Sequence, residues 1–443
     1  MVSECFLMAL VGSFGFQEEQ GLILNPDFAV VAEEGLPAHW KAWQPRWEAA
    51  GCRLRATPQG LWVDAPGRPY AVGGVYQEVK GLQGGQAYGI EVLAEVRDLP
   101  PPFRSLLVRW SWLQGQKELH PAGMLVRGPF PVEGGLRFHD VLVAPLEADG
   151  ARLSLEVKWP QGGIVLWKRV KVYPTTPPPP RKVKVGTVYL RPRNSTPEQN
   201  VALFCHQIDA AGQLGLDILC LPEALTVVGT GRNLVECAEP IPGPSTQRLG
   251  EAARRHRLWV VAGLVERDGD RIYNTAVLLD RQGNLAGKYR KVHLPREEWK
   301  LGVTPGEEYP VFVTDFGTIA IQICYDWFFP EAEAIFALKG AEIIFAPTWG
   351  NTWPDQDGRV EGETTFRVRA RDNGVYMVPS VYDGNSLIID PMGRILASSN
   401  GQEGIVWAEI DLNLRESLPW VGHWRSIGPR DRMPSTYGLL TEP

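Results

Sequence analysis

Two patterns of apolar positions divide the chain. Up to about residue 173, short runs mix apolar and polar residues at close to a two-residue period, as in Ile90-Glu91-Val92-Leu93-Ala94-Glu95-Val96, and Gly and Pro break them. A two-residue period places alternate side chains on one face of a strand. Strands are predicted at 74–79, 88–96, 105–113, 137–144 and 152–159. Their regular spacing between turn residues predicts an all-β sandwich.

From residue 183 onward, apolar runs alternate with helical spacing. Residues 183–190 read as a strand, and Val201, Phe204, Ile208 and Ala211 mark a helix over 197–214. Residues 217–221 form a buried-type strand, and Ser245 is a candidate N-cap for a helix to about Arg257. Strands follow at 259–265 and 272–279, the turn Asp280-Arg281-Gln282-Gly283, then strands at 311–316 and 318–324. A helix is predicted over 330–339, a strand at 343–346, a helix over 363–373, and strands at 376–380 and 386–390. Such alternation predicts a layered α/β domain.

Between the two patterns lies Pro174-Thr175-Thr176-Pro177-Pro178-Pro179-Pro180, a semi-rigid extended spacer. At 443 residues the chain is too long for one hydrophobic core. The expected division is an N-terminal tail over 1–20, a β-sandwich domain over 21–173, a linker over 174–182, and an α/β domain with a C-terminal tail over 183–443.

Composition narrows the functional classes. The net charge of −6 argues against nucleic acid or an anionic membrane as the main partner. No pair of the six cysteines has C-x-x-C spacing, and six in this length do not make a disulfide framework. The seven histidines never fall at i, i+4, so no metal site is expected. No apolar run is long enough to span a bilayer, so no integral membrane segment is expected. The stretch FLMALVGSFGF at 6–16 has the apolar character of a secretory signal, but no Lys or Arg precedes it and no A-x-A site follows. A cytoplasmic protein is therefore expected, with export through this weak signal as the alternative.

Three segments place a reactive side chain at the end of a buried strand. Glu223 follows Ile218-Leu219-Cys220-Leu221-Pro222; taken alone it reads equally as a cap or a surface charge. Lys291 stands in Lys288-Tyr289-Arg290-Lys291-Val292-His293, which alone reads as a solvated basic face. Cys324 ends Thr318-Ile319-Ala320-Ile321-Gln322-Ile323 and precedes a helix opened by Pro330. A lone cysteine there is commonly a packed core thiol, but a strand–turn–helix elbow can expose the turn side chain and free backbone N–H groups.

Taken together the segments resemble the nitrilase, or carbon–nitrogen hydrolase, superfamily over about residues 183 to 440. The resemblance rests on Leu221-Pro222-Glu223, Tyr289-Arg290-Lys291, Cys324-Tyr325-Asp326 with Phe329-Pro330-Glu331, Gly340-Ala341-Glu342-Ile343-Ile344, Arg369-Ala370-Arg371-Asp372-Asn373, and Arg432-Met433-Pro434-Ser435-Thr436-Tyr437. Asp372 departs from the family, which more often carries Glu there. The resemblance implies a four-layer α-β-β-α sandwich, no cofactor, and a homodimer or higher homo-oligomer. It also implies a Glu–Lys–Cys triad at Glu223, Lys291 and Cys324, with a second glutamate at Glu298 or its neighbour Glu297, Glu298 being preferred. Tyr325, Trp349 and Tyr382 are expected at the oxyanion site or substrate pocket, the last two equally as packing residues.

The implied reaction is hydrolysis of a small-molecule amide or N-carbamoyl C–N bond through a thioester. Cys324-Tyr325-Asp326 is closer to the amidase and carbamoylase branches than to true nitrilases, which usually carry Trp-Glu after the cysteine. Two alternatives remain: an N-acyltransferase using the same triad, and a carbohydrate-binding protein whose hydrolase domain is inactive. The second arises because Leu24-Asn25-Pro26-Asp27-Phe28, with Trp40 and Trp43, resembles the start of galactose-binding-like jelly-roll modules. Exposed Trp could stack on a sugar ring; filling the sandwich core is the favoured role.

Overall fold

The computed structural model describes residues 21–99, 102–120, 123–350 and 361–441. The signal-like stretch at 6–16 lies outside them. The described residues form two compact units: one contains those up to 178 together with those from 418 onward, and the other those between 179 and 417. The sequence predicts an α/β domain with its tail running to 443. The structure groups the last segment, including the helix Trp424–Asp431, with the first unit.

The first unit is built from two six-stranded sheets. All its ladders are antiparallel, as between Val72–Lys80 and Gly150–Lys158 or between Ala87–Arg97 and Ile164–Thr175. Each predicted strand is present within a residue or two. Their apolar faces form one core that includes Trp40, Trp110, Trp112 and Trp167. These four tryptophans therefore pack inside, while Trp43 and Trp47 remain exposed. The proline run begins inside a strand, since Pro174 pairs with Tyr88.

The second unit is a four-layer α-β-β-α sandwich. Its first sheet joins Lys182–Tyr189, Ile218–Cys220 and Trp259–Asp268, the first pairing with Gly404–Asp411 on one side and the last with Arg271–Leu279 on the other. Its second sheet centres on Thr318–Ile321, Ile343–Pro347 and Tyr376–Ser380, all parallel. The strand residues sort by parity. Ile218 and Cys220 face the second sheet's core, whereas Leu219 and Leu221 pack with Phe204, Ile208 and Leu249 under the helices Pro197–Gln213 and Pro244–His256. Phe336 and Phe366, from Pro330–Leu338 and Glu361–Asn373, cover the second sheet. Among the described residues no helix is long and apolar enough to cross a membrane.

Candidate active site

Glu223 emerges three residues beyond the strand Ile218–Cys220 and is buried. The neighbouring strand approaches it closely: Gly263 N donates to Pro222 O at 3.1 Å, and Leu225 N to Gly263 O at 2.9 Å. A Cβ on Gly263 would lie 2.5 Å from Glu223 Cα, so only glycine permits this approach. Ala224 then takes φ +43°, turning the chain away.

Lys291 follows the edge strand Leu285–Arg290, which the sequence did not reveal. Its N–H donates to Asn274 O at 2.9 Å, and its carbonyl accepts from Gly306 N at 2.8 Å. The ammonium is wholly buried, 2.9 Å from Glu223 Oε1 and also bonded to Glu298 Oε1. Asn274 Nδ2 donates to Glu223 Oε1 at 2.7 Å and to Glu298 Oε2 at 3.2 Å, bracing both carboxylates. Burial alone would lower the Lys291 pKa. The negative charges of Glu223 and Glu298 outweigh it and hold the amine protonated.

Glu298 lies in the short helix Arg296–Trp299, and burial raises its carboxyl against the pull of Lys291. Its rival is separated by geometry: the Glu297 side chain is 82% exposed and pairs only weakly with Arg296, at 3.6 Å.

The strand Thr318–Ile321 stops short of Cys324, whereas the sequence read it as continuous. Cys324 instead opens a 3-10 turn, Cys324–Phe328, at φ +42°. A non-glycine residue there is strained by about 1–2 kcal/mol. Asp326 holds the turn: its carboxylate accepts from Ile323 N at 2.9 Å, Tyr289 hydroxyl at 2.8 Å, and the backbone N–H of His293 at 3.0 Å. His293 Nδ1 lies 2.9 Å from the same carboxylate. Asp326 thus ties the elbow to residues on both sides of Lys291. Burial and the Glu223 charge push the Cys324 thiol up, while Lys291 and the Trp349 N–H pull it down; the net direction is upward. The resting sulfur is therefore a neutral thiol coupled to both a carboxylate and an ammonium.

Tyr325 lies beside the aromatic rings of Phe328 and Phe329. The Trp349 ring meets Tyr382 edge-on at 5.9 Å. Trp349 is half-buried, but Tyr382 is only 1% exposed and its hydroxyl donates to Glu223 O at 2.8 Å. Tyr382 thus packs beneath the site and holds Glu223. The sequence does not single out Asn274, and Asp326 enters there only within the motif Cys324-Tyr325-Asp326, without a role of its own. Their signal was a polar residue inside or beside an otherwise apolar strand, in Ile272-Tyr273-Asn274 and Ile323-Cys324-Tyr325-Asp326. Among the described residues, no group of three or more His, Cys, Asp or Glu side chains is arranged to hold a metal ion.

Comparison with known proteins gives the same picture. The carbon–nitrogen hydrolase family profile matches residues 184–419. The human omega-amidase NIT2 is 31% identical over 51% of this chain and 89% of its own length. A nitrilase from Pyrococcus abyssi is 35% identical over 52% of this chain and 91% of its own. An amidase from Nesterenkonia sp. AN1, solved with an acetamide group on its active-site cysteine, shares the fold at TM-score 0.50. It has 21% identity over 60% of this chain and 98% of the amidase.

Proposed function

The chain belongs to the carbon–nitrogen hydrolase family, and from that premise we propose that it hydrolyses a non-peptide amide C–N bond through a thioester on Cys324. What supports this reading above all is the buried cluster of Glu223, Lys291 and Glu298 around Asn274, electrostatically coupled to a thiol on a strained elbow.

A neutral thiol needs a base when it attacks. Glu223 accepts the thiol proton as sulfur adds to the amide carbonyl, giving a tetrahedral intermediate. Lys291 stays protonated and, with the Tyr325 N–H, stabilises the oxyanion. Glu223 then delivers the proton to the departing ammonia or amine, leaving an acyl group on sulfur. Water activated by Glu223 releases the acid and restores the thiol. Glu298 and Asn274 keep Lys291 charged and aimed throughout. The relatives named omega-amidase favour a terminal carboxamide as substrate, and the two residues after Cys324, Tyr325-Asp326, favour amide over nitrile chemistry.

The test is a panel of small terminal amides, N-carbamoyl compounds and nitriles, read by ammonia release and by intact-protein mass. Wild type is expected to release ammonia from an amide and show an acyl adduct on the peptide containing Cys324. Cys324→Ala should lose at least about 10³-fold in kcat. Full turnover by the alanine variant would end the thioester reading.

A further inference from the structure

Behind the elbow lies a set of buried polar groups that the proposed reaction does not use. Gln322 stands two residues before Cys324, and Glu333 sits in the first turn of the helix that the elbow feeds, Pro330–Leu338. Both are fully buried. The Gln322 amide approaches the Glu333 carboxylate, and Arg369, from the helix Glu361–Asn373, lies with Nε 3.6 Å from Glu333 Oε2. Arg369 also donates to the carbonyl of Trp327, within the 3-10 turn, at 3.4 Å.

Among the described residues, six atoms here complete no well-aligned hydrogen bond: both amide atoms of Gln322, both carboxylate oxygens of Glu333, Arg369 Nε and Trp327 Nε1. Unpaired polar atoms are rare in native interiors, and a group of them marks a site completed by ordered water or a shared proton. An apolar core would avoid the desolvation entirely. The groups instead grip the elbow before Cys324, after it, and at the helix beyond.

We infer that Glu333, with Gln322 and Arg369, forms a positioning network that fixes the elbow and holds the Cys324 sulfur in register with Glu223 and Lys291. The inference rests on Cys324 being the nucleophile; Glu333 itself touches no substrate. Burial pushes its carboxyl up to about 8, against Gln322, its own backbone and Arg369, with Asp326 adding to the rise. The other groups near it are Glu331 on the same helix and Tyr309, whose ring packs on Phe336 and whose hydroxyl is pushed up to about 12 by burial and these acids. Lys291 is held protonated, the thiol is raised and Glu298 is raised by burial against Lys291; among the groups that hold the elbow, Glu333 is the one placed to change charge near pH 8. Below that pH it is a neutral donor. Above it, a buried anion draws Arg369 away from the Trp327 carbonyl and loosens the turn.

The test compares wild type, Glu333→Gln, Glu333→Leu and Cys324→Ala on a turned-over amide across about pH 6 to 10. It also follows peptide-resolved alkylation of Cys324 by iodoacetamide. Wild-type kcat is expected to fall as pH rises through about 8. Glu333→Gln, a neutral donor at every pH, should stay within about threefold at neutral pH and lose that alkaline limb. Glu333→Leu should lower kcat roughly tenfold or more with KM changed less, and alter Cys324 alkylation in parallel. A wild-type profile in Glu333→Gln would overturn the inference, and that variant decides even if the leucine variant does not fold. Turnover by Cys324→Ala would instead sink the nucleophile reading, while alkylation still reports on the network.

Discussion

The Tyr382 hydroxyl donates to the backbone carbonyl of Glu223 across 2.8 Å, with the tyrosine ring sealed from solvent. The bond joins the chain just after the strand Tyr376–Ser380 in the second sheet to the chain just after Ile218–Cys220 in the first. It fixes the main chain of Glu223 while Lys291 and Asn274 fix its side chain. Tyr382→Phe keeps the ring and removes the donor, leaving a buried carbonyl unpaired. The expected cost is about 1–2 kcal/mol of stability and a several-fold drop in kcat with little change in KM. Thermal melts and steady-state kinetics check it. An unchanged kcat would mean that the side-chain bonds alone hold Glu223.

Glu298 offers a sharper test of the electrostatics, because its carboxylate contacts the same ammonium as Glu223. Glu298→Gln retains the shape and one acceptor but removes a negative charge beside a buried cation. Lys291 would then be held protonated more weakly, since burial works against it. The expected result is a kcat lower by roughly 10²-fold. A separate loss of activity at higher pH than the limb set by Glu333, where Lys291 gives up its proton, should also move to lower pH, because a less stabilised ammonium loses its proton sooner. Glu297→Gln, at an exposed neighbour, should leave both unchanged. Equal losses in the two variants would remove Glu298 from its assigned place.

The legible parts of this protein were those written in local periodicity. Two-residue alternation located the five strands read in the first unit, and the strands that end near Glu223 and Cys324 were visible as apolar runs. Leu285–Arg290 was not visible, because an edge strand of mixed polarity pairs on one side only and carries no alternating apolar face. The reactive residues were individually ambiguous, and their order along the chain identified them. Their braces were hidden for a different reason. Asn274, Asp326 and Glu333 acquire roles from partners far off in sequence: Asn274 meets Glu223 across 51 positions and Asp326 meets Tyr289 across 37. Apart from its place in or beside an apolar run, nothing local in the sequence distinguishes such a residue from a surface polar one.

The last segment of the chain was equally hidden, and Arg430 explains where it goes. Its side chain is buried in the first unit, donating to the carbonyls of Phe103, Leu106 and Gly128, with its guanidinium 4.1 Å from the centre of the Phe103 ring. Asp431 beside it pairs with Lys158. A planar guanidinium can serve several acceptors at once, which an ammonium on a flexible stem does less well. Arg430→Met keeps much of the stem's packing but leaves those carbonyls without a donor. The expected loss is about 2–4 kcal/mol. Most tryptophans lie in the first unit, so its melting should be followed by their fluorescence. That transition should move to lower temperature, whereas amide turnover measured well below it should persist, because no residue of the candidate site belongs to this unit. Arg430→Lys should recover only part of the loss. A first-unit transition that stays in place in the methionine variant would show that residues from 418 onward are not needed to stabilise the β-sandwich.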